Sequence, residues 1–145
     1  MSRVKIEMPG KIIFVTDIPV RITDINYGNH VGNDALVSLV QEARVKLLQR
    51  AGYKNELEID GVGLIMAGLS MEYKKESFYG DILHIAIGVD EISEVGFNLY
   101  YKINAERGEE MMLVAKAKTE MVCFNYSTKR ISPIPTGLRS FLEKN

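Results

Sequence analysis

One stretch of the sequence, residues 34–51, repeats its apolar residues every three or four positions, whereas apolar residues elsewhere mostly alternate with polar ones. The first spacing places these residues along one side of an α-helix, and the second is typical of a half-buried β-strand. Asp34 is suited to cap the start of the helix, and Gly52 to end it. The helical stripe comprises Leu36, Leu39, Val40, Ala43, Leu47 and Ala51. The sequence therefore predicts one long helix among several strands.

The alternating pattern predicts five strands. The first runs from Lys11 to Ile22, and Pro19 within it has no N–H to donate, which places this strand at a sheet edge or a bulge. The other four lie within residues 65–73, 83–89, 97–103 and 111–123, with turns at Gly80-Asp81 and Arg107-Gly108. A short terminal helix is predicted at 136–144, after Pro133 and Pro135.

This order of elements predicts an α+β architecture, in which a single antiparallel sheet of about five strands buries the long helix against one face. Small residues at Ala115, Ala117 and Thr119 predict where the helix approaches the sheet most closely. Residues 1–145 are expected to form a single domain, because single cores commonly run to about 100–150 residues.

Composition and charge exclude several classes of protein. The chain is 46% hydrophobic and 26% charged with a net charge of -1, which is too apolar for disorder and lacks the basic excess of a nucleic-acid binder. The one cysteine, Cys123, rules out an internal disulfide or a multi-cysteine metal site and favours a reducing compartment. With no membrane-length apolar run and no signal-peptide core at residues 1–10, a soluble cytoplasmic protein is expected.

The segment between the first strand and the long helix, residues 21–33, concentrates groups that can carry chemistry. It holds an acid, several amides, an imidazole and two glycines, and a helix N-terminus with unpaired N–H groups follows at once. Such N–H groups can stabilise an oxyanion or a thioester carbonyl. A purely structural interpretation competes, because these same residue types satisfy turns and caps.

This segment resembles the signature of the 4-hydroxybenzoyl-CoA thioesterase family and of the plant acyl-carrier-protein thioesterases, roughly R-x-x-D-x-D-x-x-G-H-V-N-N before a helix. The matching residues are Arg21, Asp24, His30, Val31 and Asn33, with Gln41-Glu42-Ala43-Arg44 as the helical element. Three later runs resemble further family patterns, namely Met71 to Lys75, Tyr79-Gly80-Asp81 and Ile134-Pro135. The resemblance implies a hotdog fold, a helix-wrapped sheet, and thioester chemistry.

The chain departs from the family pattern at three positions. Asn26 stands where the bacterial enzymes carry the carboxylate thought to attack the thioester or activate water, while Gly32 replaces an Asn and Asn29 a Gly. An amide cannot act as a nucleophile or a general base. The aspartate mechanism therefore does not transfer to this chain, although the plant relatives have been discussed in terms of Asn and His.

Three groups remain as candidate bases. His30 titrates near neutral pH and can activate water, although loop histidines often only satisfy backbone groups. Asp24 can orient His30 or act itself, but it is also a plausible turn or cap carboxylate. Glu42 is suggested because some family members use a helical glutamate, yet it also forms a favourable surface pair with Lys46 one helical turn later.

Other residues are expected to bind the substrate. Asn26 is predicted to orient the attacking water, and Tyr27 and Asn33 to line the pocket. The cations Lys74, Lys75, Lys129 and Arg130 can meet the phosphates of coenzyme A, although exposed lysines are usually only solvated. Cys123 is predicted to be a buried, inert thiol, and His84 an isolated residue on a strand. No residue spacing resembles a metal site.

The sequence thus predicts hydrolysis of an acyl-CoA or acyl-carrier-protein thioester by water, with no cofactor beyond the coenzyme A of the substrate. Two alternatives stay open, a non-catalytic acyl-CoA binding or sensing module, which Asn26 favours, and a hotdog 3-hydroxyacyl thioester dehydratase. The apolar edge strand at 65–73 would expose unpaired N–H and C=O groups to solvent. The resemblance implies that protomers pair edge to edge with active sites between them, so a homodimer or homotetramer is expected.

Overall fold

A computed structural model describes residues 4–144 of the chain. Its strands are β1 (Ile12–Pro19), β2 (Gly63–Tyr73), β3 (Ile82–Asp90), β4 (Gly96–Arg107), β5 (Glu110–Asn125) and the short β6 (Arg130–Ile131). Its α-helices are α1 (Asn33–Arg50) and α2 (Thr136–Lys144), and a 3-10 turn covers Ile22–Asp24. The strands form one antiparallel sheet in the order β1-β3-β4-β5-β2, with β6 paired to the end of β5.

The predicted strands are all present, and one is shorter than expected. β1 ends at Pro19, and the expected strand residue Ile22 lies instead in the 3-10 turn with its side chain two-thirds exposed. The edge position predicted from Pro19 is confirmed, because β1 pairs only with β3 in the described sheet. β2 crosses over to the opposite edge, where it pairs with β5.

Helix α1 follows the predicted apolar stripe, with one difference at its start. Gly32 is the N-terminal cap, and its carbonyl oxygen accepts the N–H of Leu36, so Asp34 lies inside the first turn and is not the cap. The predicted end is confirmed, since Gly52 has a φ of +103°, a left-handed conformation that glycine tolerates and that stops a helix.

The core lies between α1 and one face of the sheet. Leu83, Ile85 and Ile87 of β3 are fully buried, and so are the small residues Ala115 and Ala117 of β5. Burying such apolar side chains contributes about 1.5–3 kcal/mol each for the larger ones, which is the main force that holds helix to sheet. The core is closed at one end by Leu138 and Leu142 of α2.

A buried polar chain connects helix α1 to the sheet near Thr119, while the predicted close approach at Ala115, Ala117 and Thr119 stays a prediction. Arg44 of α1, only 4% exposed, donates from Nη1 to the Tyr101 hydroxyl at 3.2 Å and from Nε to Glu56 at 2.7 Å. The Tyr101 hydroxyl in turn shares a 2.8 Å hydrogen bond with Thr119 on β5. Since each buried polar group has a partner, the chain fixes the depth at which α1 lies on the sheet.

Candidate active site

The loop from Arg21 to Gly32 leads from β1 into α1 and is closed by its own hydrogen bonds. The Asp24 carboxylate is 6% exposed and accepts the Arg21 backbone N–H at 2.8 Å and the Arg21 guanidinium at 3.3–3.4 Å. The Asp24 carbonyl oxygen accepts the N–H of Gly32 at 3.0 Å, and Ile25 and Val31 form an isolated bridge. The two ends of the loop are therefore fixed side by side.

Asn26 organises the tip of this loop. Its side-chain Oδ1 accepts the Gly28 N–H at 2.9 Å, and its backbone pairs with the N–H of Asn29 and the carbonyl oxygen of His30. Asn29 takes a φ of +66°, which asparagine adopts more readily than most residues. Asn26 also lies against the cap of α1, since a Cβ added at Gly32 would be 3.7 Å from its Nδ2.

The His30 ring has a defined hydrogen-bonding state. Its Nδ1 lies 3.0 Å from the carbonyl oxygen of Val31, and a carbonyl can only accept, so Nδ1 carries the proton. Nε2 of the neutral ring is then left as an acceptor. A Cβ added at Gly28 would come within 3.3 Å of Nε2, so glycine at this position allows the ring to fold over the loop. The arrangement presents a basic nitrogen at the loop surface.

His30 opens onto a cleft of about 180 Å³ at the N-terminus of α1. The cleft is lined by His30, Val31, Asn33, Leu36, Tyr73, Lys74, Lys75, Glu76 and Ser77. The first three N–H groups of a helix have no acceptor within the helix, and the helix dipole adds partial positive charge there. The cleft therefore joins a basic nitrogen, lysine side chains and a helix N-terminus that favours anions.

Four of the eight residues predicted for the site line this cleft, namely His30, Asn33, Lys74 and Lys75. Asn26 lies behind them at the helix cap. Tyr27 is fully exposed and outside the lining of the cleft. Glu42 is also outside it, 41% exposed and 4.0 Å from Lys46, which is the surface pair that the sequence spacing indicated.

The two lysines of the cleft differ in their partners. The Lys74 ammonium lies 2.8 Å from the Glu72 carboxylate, whereas Lys75 forms no ion pair within residues 4–144. Lys129 lies in the turn before β6 and Arg130 is the first residue of β6, and neither lines the cleft. Asp24 has its described side-chain bonds with Arg21, and none of them reaches His30.

Tyr73 is a member of the cleft that the sequence did not single out. It ends β2, and its hydroxyl donates to the carbonyl oxygen of Asn33 at 3.4 Å. Burial, and then the nearby Asp34 carboxylate, raises the pKa of Tyr73, so the group stays a neutral hydroxyl at physiological pH. The sequence feature that could have identified Tyr73 is its position in the run Met71 to Lys75, which resembles a family pattern.

The wall formed by Ser77 is held by a buried carboxylate. Asp81 is 2% exposed and accepts bonds from the Ser77 hydroxyl, the Phe78 N–H and both Nε and Nη2 of Arg107, each at 2.8–2.9 Å. Arg107, followed by its other donors, keeps the pKa of Asp81 below its usual range. The turn that borders the cleft is thus anchored to the end of β4.

Two further residues raised by the sequence lie away from the cleft. Burial raises the pKa of the Cys123 thiol to about 11, so it is an inert core residue, as predicted. His84, predicted to be isolated, instead bridges Asp17 at 2.5 Å and Glu106 at 2.8 Å on the sheet face opposite α1. In the part of the chain that the structure describes, no group of three or more His, Cys, Asp or Glu side chains is arranged to hold a metal ion.

Comparison with known proteins identifies the family to which this fold belongs. The family model of the thioesterase-like superfamily matches residues 20–142. A 1,4-dihydroxy-2-naphthoyl-CoA hydrolase from Microcystis aeruginosa is 30% identical over 109 residues, which cover 74% of this chain and 76% of that protein. Residues 20–142, which the family model matches, contain the loop, the cleft, all of α1 and nearly all of α2.

Solved structures of similar shape have low sequence identity. A 1,4-dihydroxy-2-naphthoyl-CoA thioesterase from Synechocystis superposes with a TM-score of 0.78 at 20% identity, covering 89% of this chain and 94% of that one. A DHNA-CoA thioesterase from Staphylococcus aureus gives a TM-score of 0.72 at 21% identity, covering 82% and 78%. At this identity the likeness concerns the fold, and it confirms the expected hotdog arrangement.

The chain belongs to the thioesterase-like superfamily. No helix within residues 4–144 is long and apolar enough to cross a membrane.

Proposed function

We propose that this protein hydrolyses acyl-CoA thioesters. The observation that carries the proposal is the cleft in which His30, a helix N-terminus and lysine side chains meet. Membership of the thioesterase-like superfamily and the 30% identity to a hydrolase of 1,4-dihydroxy-2-naphthoyl-CoA support the same chemistry. Aromatic acyl-CoA thioesters are the first substrates to try, in an assay that measures release of the free thiol.

The proposed reaction begins with water. Nε2 of His30 accepts a proton from a water molecule as its oxygen attacks the acyl carbon of the thioester, and the Nδ1–H bond to Val31 holds the ring in the required tautomer. The developing oxyanion is stabilised by N–H groups of the first turn of α1. The C–S bond then breaks, and the leaving thiolate recovers the proton from His30 to give coenzyme A and a carboxylic acid.

The remaining site residues support this step. Asn26, at the position of the family carboxylate, orients the water through an amide and holds the loop through its bond to Gly28. Asp24 keeps the loop in place through Arg21, which is a positioning role. Asn33 and Tyr73 border the acyl carbon's binding place, and Lys75 meets the phosphates. Coenzyme A enters only as part of the substrate, and we assign no other cofactor.

A second candidate is an acyl-CoA binding or sensing module. It is favoured by one observation, that the residue replacing the family carboxylate, Asn26, has its Oδ1 already bonded to a backbone N–H. Such a module would bind acyl-CoA without releasing thiol. The same assay therefore separates it from the hydrolase.

The partner of the chain is proposed to be a second copy of itself. β2 is an edge strand, and Met66, Leu69 and Tyr73 on it are each about 40% exposed. An apolar edge with unpaired N–H and C=O groups favours pairing with another strand. The proposed assembly is a homodimer or homotetramer located in the reducing cytoplasm. Light scattering that gives a stable 16.3 kDa monomer would contradict this assembly.

A further inference from the structure

The segment of residues 4–9 crosses the face of the sheet that points away from α1. Ile6 is only 5% exposed there, and its carbonyl oxygen accepts a hydrogen bond from the Lys116 ammonium of β5 at 3.3 Å. Pro9 lies against β3 so closely that a Cβ added at Gly88 would be 2.6 Å from its Cγ. The segment is thus a fixed strap on the outer face of the sheet.

Glu72 joins this strap to the cleft. One carboxylate oxygen, Oε1, accepts the backbone N–H of Ile6 at 2.9 Å, and the other, Oε2, lies 2.8 Å from the Lys74 ammonium. Lys74, and then the Ile6 N–H, keeps the pKa of Glu72 below its usual range, so the carboxylate is charged near neutral pH. Lys116 pairs across from Glu72 in the sheet and adds to the same effect.

This contact directs the Lys74 ammonium towards Glu72, whose other oxygen binds the strap. Lys74 lines the cleft, yet its ammonium faces Glu72 and the strap, while Lys75 beside it has no ion-pair partner within residues 4–144. A phosphate that approaches the cleft therefore meets one available lysine and one whose charge is offset by a carboxylate about 3 Å away.

We propose that Glu72 is a restraining residue that holds Lys74 away from the substrate and lowers the affinity of the cleft for the phosphates of coenzyme A. The inference rests on the proposed function, because it takes the phosphates of an acyl-CoA as the ligand. Lys75 is then the main contact for the phosphates. The contribution of Lys74 to phosphate affinity is limited by its ion pair with Glu72.

The direct test is Glu72→Gln. Glutamine is nearly isosteric, and its amide oxygen can still accept the Ile6 N–H, so the strap is kept while the negative charge is removed. The KM for an acyl-CoA is expected to fall roughly two- to fivefold, the range of an exposed charge pair, with kcat unchanged. The difference is expected to shrink at high salt, because exposed charges are screened.

A double-mutant cycle shows whether the effect passes through Lys74. In a Lys74→Met background, Glu72→Gln is expected to leave the KM unchanged. A fall in KM of the same size in that background, or a KM in Glu72→Gln that equals or exceeds that of the wild type, would overturn the inference.

A second pair of variants tests the proposal without altering Glu72, which protects the test against a Glu72→Gln protein that does not fold. Lys75→Met is expected to raise the KM by a factor several times larger than Lys74→Met does. Equal increases in KM would contradict the proposal that Glu72 restrains Lys74. Calorimetry with coenzyme A alone runs beside these assays. A wild-type protein that neither turns over acyl-CoA nor binds coenzyme A would overturn both the proposed function and this inference. Normal turnover by the wild type, with an unchanged KM in Glu72→Gln, would overturn the inference alone.

Discussion

The backbone N–H of Val31 donates a 2.8 Å hydrogen bond to the carbonyl oxygen of Ser77. This bond joins the loop that carries His30 to the turn that carries the other wall of the cleft. The two segments are 46 positions apart in sequence, and Ser77 is itself held by Asp81. The geometry of the proposed site therefore depends on a buried carboxylate that does not line the cleft.

Asp81→Asn is expected to destabilise the fold. The amide can accept from fewer donors than the carboxylate and leaves the Arg107 guanidinium without its anionic partner. Breaking such a buried network costs about 2 kcal/mol or more of unfolding free energy. Urea denaturation measures it, with Asp90→Asn as the control, since Asp90 is exposed and its side chain accepts the N–H of the neighbouring Glu91. A stability equal to that of the control would contradict the role of Asp81.

His30→Ala is expected to lower kcat by about two to four orders of magnitude, the range for a lost general base. The fold should persist, because the loop is joined to Ser77 through the backbone of Val31 and not through the His30 ring. His84→Ala serves as the control, since His84 lies on the other face of the sheet and should leave kcat unchanged. A folded, fully active His30→Ala protein would make the histidine a structural residue.

Asn26→Asp tests the place where the sequence departs from its relatives. The new carboxylate can still accept the Gly28 N–H, and it lies beside the loop of His30, where a negative charge favours the protonated imidazole. The rate–pH curve of a His30-dependent hydrolase is therefore expected to shift upward. A binding module would instead gain hydrolysis.

The matched control for Asn26 is Asn125→Asp. Asn125 also accepts backbone N–H groups through Oδ1, from Ser127 and Thr128, but it is the last residue of β5. The Asn125→Asp substitution should leave the rate–pH curve unchanged. Superimposable curves for wild type and Asn26→Asp would place Asn26 outside the chemistry.

His84 is expected to make stability depend on pH. Its hydrogen bond to Glu106, and then that to Asp17, raises the pKa of His84 above 6.5. Protonated His84 therefore stabilises the fold fully below the unfolded pKa, and this contribution is lost as pH rises through the higher folded pKa. The stability difference between wild type and His84→Gln should be at most about 1 kcal/mol near neutral pH and below, and smaller at about pH 9. A difference that grows with pH would contradict this sign.

Much of the fold follows from local pattern. The short-range signals are the apolar stripe of the helix, the alternation in the strands and three glycines, Gly52, Gly80 and Gly108. These three glycines have positive φ angles, which explains why glycine occupies these positions. The pairing order of the strands is set by long-range packing, so the crossover of β2 to the far edge is absent from the pattern. Ile22 shows the same limit, because the Asp24 carboxylate captures the Arg21 N–H and ends the strand early.

The site was predictable in part for the same reason. The loop residues His30 and Asn33 are close in sequence to the helix N-terminus, and the structure places both in the cleft. Tyr73 and Ser77 join them only through the fold, so residue type alone gave no reason to choose them. The pairing of Lys74 with Glu72 depends on side-chain direction at the end of β2, which a sequence pattern does not specify.

The measurement that most directly tests the account is thiol release by the wild-type protein from a panel of acyl-CoA thioesters that includes 1,4-dihydroxy-2-naphthoyl-CoA. The account predicts turnover of at least one aromatic acyl-CoA, with free coenzyme A and the carboxylic acid formed in equal amounts, and loss of that turnover in His30→Ala. Binding of the same thioesters without any release of thiol would contradict it.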